Sequence, residues 1–285
     1  MRKKDKERKI SLELISSYAV SLREQEKSTA TIQKYVHDLV VLCDYLADKT
    51  LTKSTLIDWK EHLTTEYAAA SVNTMLAAAN GLFDFYGWDD LKVKPLKIQK
   101  SMFCDTDKEL TRDEYIRLIH AAEAKGNERL SLVIQTICAT GIRVSELEYI
   151  TAEAVSVGHT EISNKGKRRT IFLPEKLRRL LKKYLQKQER TTGTVFTTKT
   201  GKPLNRSNIW RDMKALCESA GVEQGKVFPH NLRHLFARTY YTIEKDLSRL
   251  ADILGHSNIT TTRIYTLESG VVHAQQMERM GLIIT

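Results

Sequence analysis

The segment ATGIRVSEL at residues 139–147 joins two predicted helices and carries an arginine at the junction. Upstream of it, residues 128–140 repeat apolar side chains with a helical period, and Gly141 interrupts the pattern. Arg143 therefore falls at a helix-to-helix break, where we expect its side chain to be exposed. A guanidinium is planar and always charged, and it can bind two phosphate oxygens at once. The segment thus predicts a helical domain with a phosphate-binding cation at a turn.

A second segment, HNLRHLF at residues 230–236, offers more groups of the same kind. His230 and Arg233 are three residues apart, so a helix brings them to one face. Two arginines that converge on one phosphate would stabilise the extra negative charge of a pentacoordinate transition state. We therefore predict that Arg233 and Arg143 act together.

A third segment, LGHSNITTTRIY at residues 254–265, adds an imidazole and a phenol. Gly255 is placed to end a helix, and His256 can project from the break. Tyr265 follows nine residues later, after a polar stretch. A phenol has an ordinary pKa near 10, and strongly positive surroundings make it a better nucleophile. Tyr265 is therefore the predicted nucleophile for attack on a phosphate.

Each of these residues would be unremarkable if it stood by itself, because a lone arginine, histidine or tyrosine is more often an ordinary surface or core residue. His230 and His234 also have the i, i+4 spacing of a metal site. However, HNLRH lacks the glutamate of a zinc-protease motif, and no cluster of cysteines or carboxylates supplies further ligands. We therefore predict no metal and no other cofactor. The joint spacing of the three segments favours phosphate chemistry.

The charge of the chain favours a polyanionic partner. Its 285 residues carry a net charge of +10, and the isoelectric point is about 9.3. Residues 165–190 contain 11 basic and 2 acidic side chains. A solvated helix face is the ordinary reason for such a run, but its position beside a predicted phosphate site favours DNA. Four widely spaced cysteines and the lack of a long apolar run predict a cytoplasmic protein.

The predicted fold class is mainly α-helical with a small β-sheet in the second of two domains. Residues 10–25, 29–48 and 71–87 have amphipathic helical patterns, and Thr55 could cap a further helix between them. Four such helices would make a small bundle. Residues 160–173 have β-branched residues on both sides of a basic turn, which predicts a β-hairpin.

The same patterns divide the chain into a helical domain at 1–90, a basic linker at 91–109, a second domain at 110–265 and a tail at 266–285. The linker has no clear helical period. Lysines along an extended segment could follow a phosphate backbone, although a merely soluble linker accounts for them equally well. These candidate DNA-binding residues are Lys92, Lys94, Lys97 and Lys100.

The three motifs and the hairpin resemble those of the tyrosine site-specific recombinases, or phage integrase family, and especially their Xer-like branch. The resemblance extends over about residues 10–270 and implies a helical core-binding domain that closes with a catalytic domain around DNA. It implies that the two arginines and His256 contact the scissile phosphate. Tyr265 would attack it to give a 3′-phosphotyrosyl link, and His230 would align or deprotonate this nucleophile.

The resemblance also assigns roles around the hairpin. Lys165 would protonate the leaving 5′-oxygen, and Glu146 would orient Arg143 or a neighbour without reacting. Hairpins of the family often read Lys-Gly-x-Lys-x-Arg, whereas here NKGKRR (164–169) has a turn one residue shorter. Lys167 is therefore an alternative general acid. The remaining basic residues of the hairpin, Arg168 and Arg169, are further candidates for DNA binding.

The function implied is site-specific recombination of double-stranded DNA by four protomers on two sites, in a bacterial, phage or mobile-element setting. The alternatives are relaxation of DNA by a type IB topoisomerase-like enzyme, a metal-dependent nuclease, and a non-catalytic DNA-binding regulator on the same scaffold. The tail has an apolar end, which indicates docking on a neighbouring subunit, with packing on its own domain as the alternative.

Overall fold

A computed structural model describes residues 8–47, 49–99, 106–164, 167–198, 200–266 and 270–282. The chain forms two units, residues 1–100 and 101–285. Both are built mainly from helices, and the described residues contain one small sheet of two strands, so the predicted fold class is confirmed.

Four helices form the first unit, as the apolar pattern predicts: α1 (Leu12–Glu24), α2 (Thr29–Leu46), α3 (Lys53–Glu66) and α4 (Ala69–Phe85). Their facing sides bury a core that includes Leu39, Leu56, Trp59 and Phe83. One detail of the prediction is wrong, because Thr52 rather than Thr55 caps α3. The Thr52 hydroxyl accepts a hydrogen bond from the Thr55 backbone N–H, which places the helix start three residues earlier.

The chain that follows α4 packs against the same bundle. Val93 is buried, and its backbone forms two hydrogen bonds with the side-chain amide of Asn80. Asn73 holds the backbone of Leu96 in the same way. The first part of the segment predicted as a linker is therefore fixed to α4 by amide side chains that mimic strand pairing.

The second unit contains the hairpin and the remaining helices. Its elements in chain order are α5 (Arg112–Ala124), α6 (Glu128–Thr140), α7 (Ala152–Val157), β1 (His159–Asn164), β2 (Lys167–Phe172), α8 (Glu175–Lys187), α9 (Arg206–Lys214), α10 (Cys217–Ala220), α11 (Pro229–Glu244), α12 (Leu247–Leu254), α13 (Ile259–Thr262) and α14 (Gly270–Arg279).

The core of the second unit forms around α6 and α11. Val133, Ile134 and Ile137 of α6 are fully buried, as is Leu232 of α11. Thr111 caps α5 with a reciprocal capping box. The helix predicted to follow the 139–147 junction is instead a 3₁₀ helix at Val144–Tyr149 followed by α7, because Thr151 caps a new helix.

The hairpin is antiparallel, and its register pairs Asn164 with Lys167 and Ile162 with Arg169. Directly opposed residues lie on one face of a sheet, so positions 162, 167 and 169 share a face. Ile162 is buried against the domain core. The register therefore directs this face of the hairpin toward the protein.

Candidate active site

The Gly141 turn places Arg143 at the surface of the second unit. Gly141 ends α6 with φ +63°, in the left-handed region that glycine adopts without strain. A Cβ at this position would lie 2.4 Å from the Phe236 ring. The turn is therefore closed against α11, and Arg143 leaves it with its side chain 35% exposed.

Glu146 is a buried carboxylate that fixes two arginines. Its Oε1 accepts a 2.9 Å hydrogen bond from Arg143 Nη1, and its Oε2 accepts a 2.8 Å bond from the Arg143 backbone N–H. Oε2 also pairs with Arg169 Nη2. Burial alone would raise the pKa of Glu146, but the backbone hydrogen bond and the two guanidinium charges lower it below its ordinary value. Glu146 is therefore ionised and orients Arg143.

Arg169, a predicted candidate for DNA binding, is largely enclosed by the protein and lines the edge of the site. Its side chain is only 10% exposed, and besides Glu146 it donates a 2.8 Å hydrogen bond to the carbonyl of Ile253 at the end of α12. A Cβ at Gly255 would lie 2.7 Å from Arg169 Cδ. Burial lowers the pKa of Arg169, which Glu146 partly offsets. Arg169 thus links the hairpin to the turn that carries His256.

Arg233 is the most enclosed cation of the site, with 2% exposure. Its guanidinium donates to the carbonyl of Gly141 and, at 2.6 Å, to the carbonyl of Leu254. Burial, followed by repulsion from Arg143 and Arg169, lowers the pKa of Arg233 to about 10. It stays protonated at neutral pH, and its position joins the ends of α6 and α12.

His256 follows Gly255, which has φ +64° and ends α12. Its Nε2 lies 3.2 Å from Arg233 Nη2, and its Nδ1 lies 2.8 Å from Thr262 Oγ1. Because a guanidinium can only donate, Nε2 accepts and Nδ1 carries the proton. Burial and the charges of Arg233 and Arg143 lower the pKa of His256 to about 4. The imidazole is therefore neutral at pH 7.

Tyr265 lies in the short 3₁₀ helix Arg263–Thr266 that follows α13, and it is 4% exposed. Its ring is nearly parallel to His256, with 6.0 Å between the ring centres. On another side it meets His234 edge to face, with 4.7 Å between centres and an interplanar angle of 87°. The Tyr265 phenol raises the pKa of Arg233 and so partly offsets the effect of burial. The phenol therefore lies within electrostatic reach of that cation.

His230 precedes Arg233 by one helical turn, at the start of α11. Burial and then the charges of Arg233, Arg143 and Arg206 lower its pKa. The ring centres of His230 and His234 are 4.6 Å apart. Among the described residues, no group of three or more histidines, cysteines or carboxylates is arranged to hold a metal ion.

An open pocket of about 850 Å³ lies beside these groups. Arg143 and His256 line it, together with Arg168, Arg169 and Ser257. Among the described residues, three guanidinium groups and one carboxylate, that of Asp252, contribute to its lining. Such a pocket suits a phosphate diester, because fixed cations and hydrogen-bond donors stabilise charge that develops on its oxygens.

The structure describes the predicted lysines only in part. Lys165 and Lys100 lie outside the described residues, and only the backbone of Lys167 is described. Lys94 and Lys97 are exposed, whereas Lys92 pairs with Asp84 and Asp89 of the first unit. Their binding to DNA stays a prediction.

Sequence reasoning missed one residue of the site. The sequence treats His234 only as a possible metal ligand, whereas its ring contacts the predicted nucleophile. The i, i+4 spacing of His234 from His230 was the available signal. Arg169 is named from the sequence as a candidate for DNA binding, which stays a prediction, and the hairpin register adds that it lies opposite buried Ile162.

Comparison with known proteins identifies the family. Residues 108–269 match the Phage integrase family, and residues 14–89 match its N-terminal SAM-like domain. The chain belongs to the phage integrase family. The resemblance inferred from the three motifs is thereby confirmed.

Among relatives of this family member, the tyrosine recombinase XerA of Pyrococcus furiosus is 27% identical over 98% of this chain and 97% of its own length. The tyrosine recombinase XerD of Vibrio cholerae is 27% identical over 83% of this chain and 85% of its own. Both matches span most of the two proteins, so the similarity includes both units.

Solved structures share the fold. The XerH site-specific recombinase bound to its difH substrate has a TM-score of 0.71 at 22% identity, covering 96% of this chain and 85% of that one. A lambda integrase tetramer bound to a Holliday junction has a TM-score of 0.72 at 19% identity, covering 89% of this chain and 76% of that one.

Within the described part of this chain, no helix is long and apolar enough to cross a lipid bilayer.

Proposed function

We propose that this chain recombines DNA at specific sites by cutting and rejoining strands through a phosphotyrosyl intermediate at Tyr265. The family and its named relatives support an enzyme that breaks and rejoins DNA. The observation that carries the assignment of residues is the convergence of the three separate segments on one site. They bring Arg143 and His256 to one pocket and place Arg233 and Tyr265 against His256.

The site supports an in-line attack on a phosphodiester. Arg143 and Arg233 bind the two non-bridging oxygens and stabilise the pentacoordinate transition state, since both are held by backbone or carboxylate partners before substrate binds. The Tyr265 oxygen forms a bond to phosphorus as the bond to the 5′-oxygen breaks. The phenol proton passes to His230 or to water, and the 5′-oxygen takes a proton from the hairpin lysine. The reverse attack by a 5′-hydroxyl rejoins a strand and restores the phenol.

His256 and Glu146 act on these groups in different ways. Neutral His256 already receives a hydrogen bond from Arg233 at Nε2 and can reorient to donate toward a phosphate oxygen. Glu146 sets the direction of Arg143, and both of its carboxylate oxygens are already engaged by Arg143 and Arg169. Because the covalent link conserves the energy of the phosphodiester, the cycle needs no ATP.

The general acid is a lysine of the hairpin, with Lys165 preferred from the family pattern and Lys167 as the alternative. Position 167 shares a face of the hairpin with Arg169, which contacts Glu146. The position of residue 167 in the hairpin supports Lys167 as the general acid, whereas the family motif supports Lys165.

Double-stranded DNA is the proposed partner, and four protomers on two sites are the proposed assembly. The XerH structure contains its DNA substrate, and the lambda integrase structure is a tetramer on a Holliday junction. We propose the division of the chain that the sequence predicts: a core-binding domain, a linker, a catalytic domain and a tail. Because the substrate is DNA and the named relatives are archaeal and bacterial, we place the reaction in the cytoplasm.

The tail is proposed to dock on a neighbouring protomer. Helix α14 and the residue group after it expose large apolar side chains: Met277 is 60% exposed, Met280 62% and Leu282 75%. Exposed apolar side chains in a series are typical of a protein contact. Docking in this way would tie Tyr265, a few residues earlier in the chain, to assembly.

A covalent trap tests the proposed function. The protein would select its own site from a random duplex library, and the selected duplex would then be nicked so that cleavage releases a short strand. We expect a protein–DNA adduct that survives denaturation and whose DNA-linked peptide contains Tyr265. Cleavage without an adduct, and sensitive to EDTA, would instead indicate a metal-dependent nuclease. Relaxation of plasmids without any special site would favour the topoisomerase alternative, which the comparisons do not favour.

A further inference from the structure

His234 is a titratable residue in ring contact with Tyr265, and the proposed reaction leaves it without a role. It lies one helical turn after His230 on α11, with its ring between His230 and Tyr265. The two contacts are both edge to face, at 4.6 and 4.7 Å between ring centres. His234 is therefore placed between the proposed base or aligning group and the proposed nucleophile.

The ring of His234 carries an unused polar atom. Its Nε2 is buried and has no hydrogen-bond partner among the described residues. A buried polar atom without a partner costs on the order of 1–3 kcal/mol, so such atoms are rare and need a physical reason. Packing alone gives none, because a phenylalanine would fill the same space without this cost.

The surroundings keep the imidazole uncharged. Burial, followed by the charges of His230, Arg238 and Arg233, lowers the pKa of His234 to about 4. A neutral imidazole presents one N–H and one lone pair, so it can form a single directed hydrogen bond with a hydroxyl whichever nitrogen holds the proton. The Tyr265 phenol is the hydroxyl-bearing group in ring contact with it.

We propose that His234 is a positioning residue for the nucleophile: its ring supports the Tyr265 ring from the side, and its free nitrogen bonds the phenol oxygen when Tyr265 is directed at the phosphate. The inference rests on the proposed function, since it requires Tyr265 to attack. The ring centres are 4.7 Å apart, so the imidazole and the phenol are already neighbours before Tyr265 is directed at a phosphate. His234 thereby orients the Tyr265 oxygen toward the phosphate, and it does not contact the leaving group.

The test compares His234→Phe with His234→Gln in the full-length protein. The phenylalanine keeps the volume and the ring contacts, and the glutamine places an amide near the position of Nε2. The substrate is the nicked duplex carrying the sequence that the wild-type protein selects from a random library. We expect His234→Phe to form the covalent adduct roughly tenfold more slowly, the loss of about one hydrogen bond. His234→Gln should recover part of the rate.

Two further measurements separate positioning from a merely structural effect. DNA affinity should stay near the wild-type value and the melting temperature should not fall in either variant. Tyr240→Phe, on the same helix but lining a separate pocket, should leave the cleavage rate unchanged. A substrate with a 5′-bridging sulfur, whose leaving group needs no proton, should not rescue His234→Phe.

Several outcomes would overturn the proposal. These are wild-type cleavage by His234→Phe, equal loss in the phenylalanine and glutamine variants, a parallel loss of DNA binding or folding, and rescue by the sulfur substrate. Failure of the wild-type protein to form any adduct would count against the proposed function instead. The two failures are therefore distinguishable.

Discussion

At the scale of single residues, the site is a set of cations held by oxygen atoms of the protein before any phosphate arrives. Arg233 binds the carbonyls of Gly141 and Leu254, and Arg143 binds Glu146. Prearranged charge of this kind stabilises a transition state without a reorganisation cost during the reaction. Glu146 has the largest expected effect among the residues that do not contact substrate.

Glu146→Gln should impair both folding and cleavage. The change leaves Arg143 and Arg169 without an anionic partner, and Arg169 is nearly buried. We expect the free energy of unfolding to fall by about 1–3 kcal/mol and the rate of adduct formation to fall roughly tenfold or more. Urea denaturation and the nicked substrate measure the two effects.

Glu175→Gln is the matched control. Glu175 also pairs with two arginines, Arg178 and Arg179, but its side chain is 58% exposed. Exposed ion pairs contribute little to stability. If Glu146→Gln behaves like this control, Glu146 does not orient Arg143.

The histidines make the stability of the second unit depend on pH. Burial and nearby arginines lower the pKa of His256 and of His234 to about 4 in the folded protein, below the ordinary value of 6.5. The unfolded chain therefore binds more protons between pH 6.5 and 4, so stability falls as the pH decreases through this range. We expect a loss of about 1 kcal/mol per histidine between pH 7 and 5, after allowance for partial solvent exposure.

The loss is measured by urea denaturation at the two pH values. His256→Gln removes one titrating group, so its stability should decrease less than that of the wild-type protein over the same range. Parallel decreases in the two proteins would mean that His256 is not held neutral by its surroundings.

At the scale of elements, two catalytic candidates lie directly after helix ends that a glycine defines. Gly141 ends α6 before Arg143, and Gly255 ends α12 before His256. The Phe236 ring packs against the Gly141 turn, and the Arg169 side chain packs against the Gly255 turn. The helix ends therefore fix the site more than the loops do.

The hairpin lysines are distinguished by the chemistry of the leaving group. Replacing the general acid by alanine should slow cleavage of an ordinary phosphodiester roughly a hundredfold, and a 5′-bridging sulfur should restore the rate because a thiolate leaves without a proton. We expect this behaviour of Lys165→Ala, with Lys167→Ala affecting DNA binding instead. Rescue of Lys167→Ala alone would move the role to Lys167.

Much of the site was predictable because its residues fall in short local patterns. Glycine breaks and helical spacing sufficed to select Arg143, Arg233, His256 and Tyr265, which the structure brings together. The inward position of Arg169 depends on strand register, which sequence alternation alone does not determine in a short hairpin. The contact between His234 and Tyr265 joins residues 31 positions apart, and no local pattern specifies such a contact.

At the scale of the whole molecule, the chain combines two helical units, a tail with exposed apolar side chains and a positive net charge. The net charge of +10 favours binding, and the family supports action on DNA. If the tail docks on a neighbouring protomer, changes in α14 should reduce recombination of two sites and leave binding to one DNA site unchanged.

The double variant Met277→Glu, Met280→Glu should separate these steps. Both side chains are exposed, so melting temperature and binding to one DNA site should stay unchanged. Recombination of two sites should fall roughly tenfold or more, because charges in an apolar contact weaken association. Glu278→Gln, at an exposed position between them, is the control. Full recombination by the double variant would place the tail outside the assembly contact.

The central claim is that Tyr265 becomes covalently joined to DNA. Wild-type protein and Tyr265→Phe are incubated with the nicked duplex that the wild-type protein selects, and the products are separated after denaturation. Because phenylalanine keeps the ring contacts with His234 and His256 but lacks the nucleophilic oxygen, the variant should bind the duplex as tightly as the wild-type protein and form no adduct. An adduct formed by Tyr265→Phe would contradict the assignment of the nucleophile.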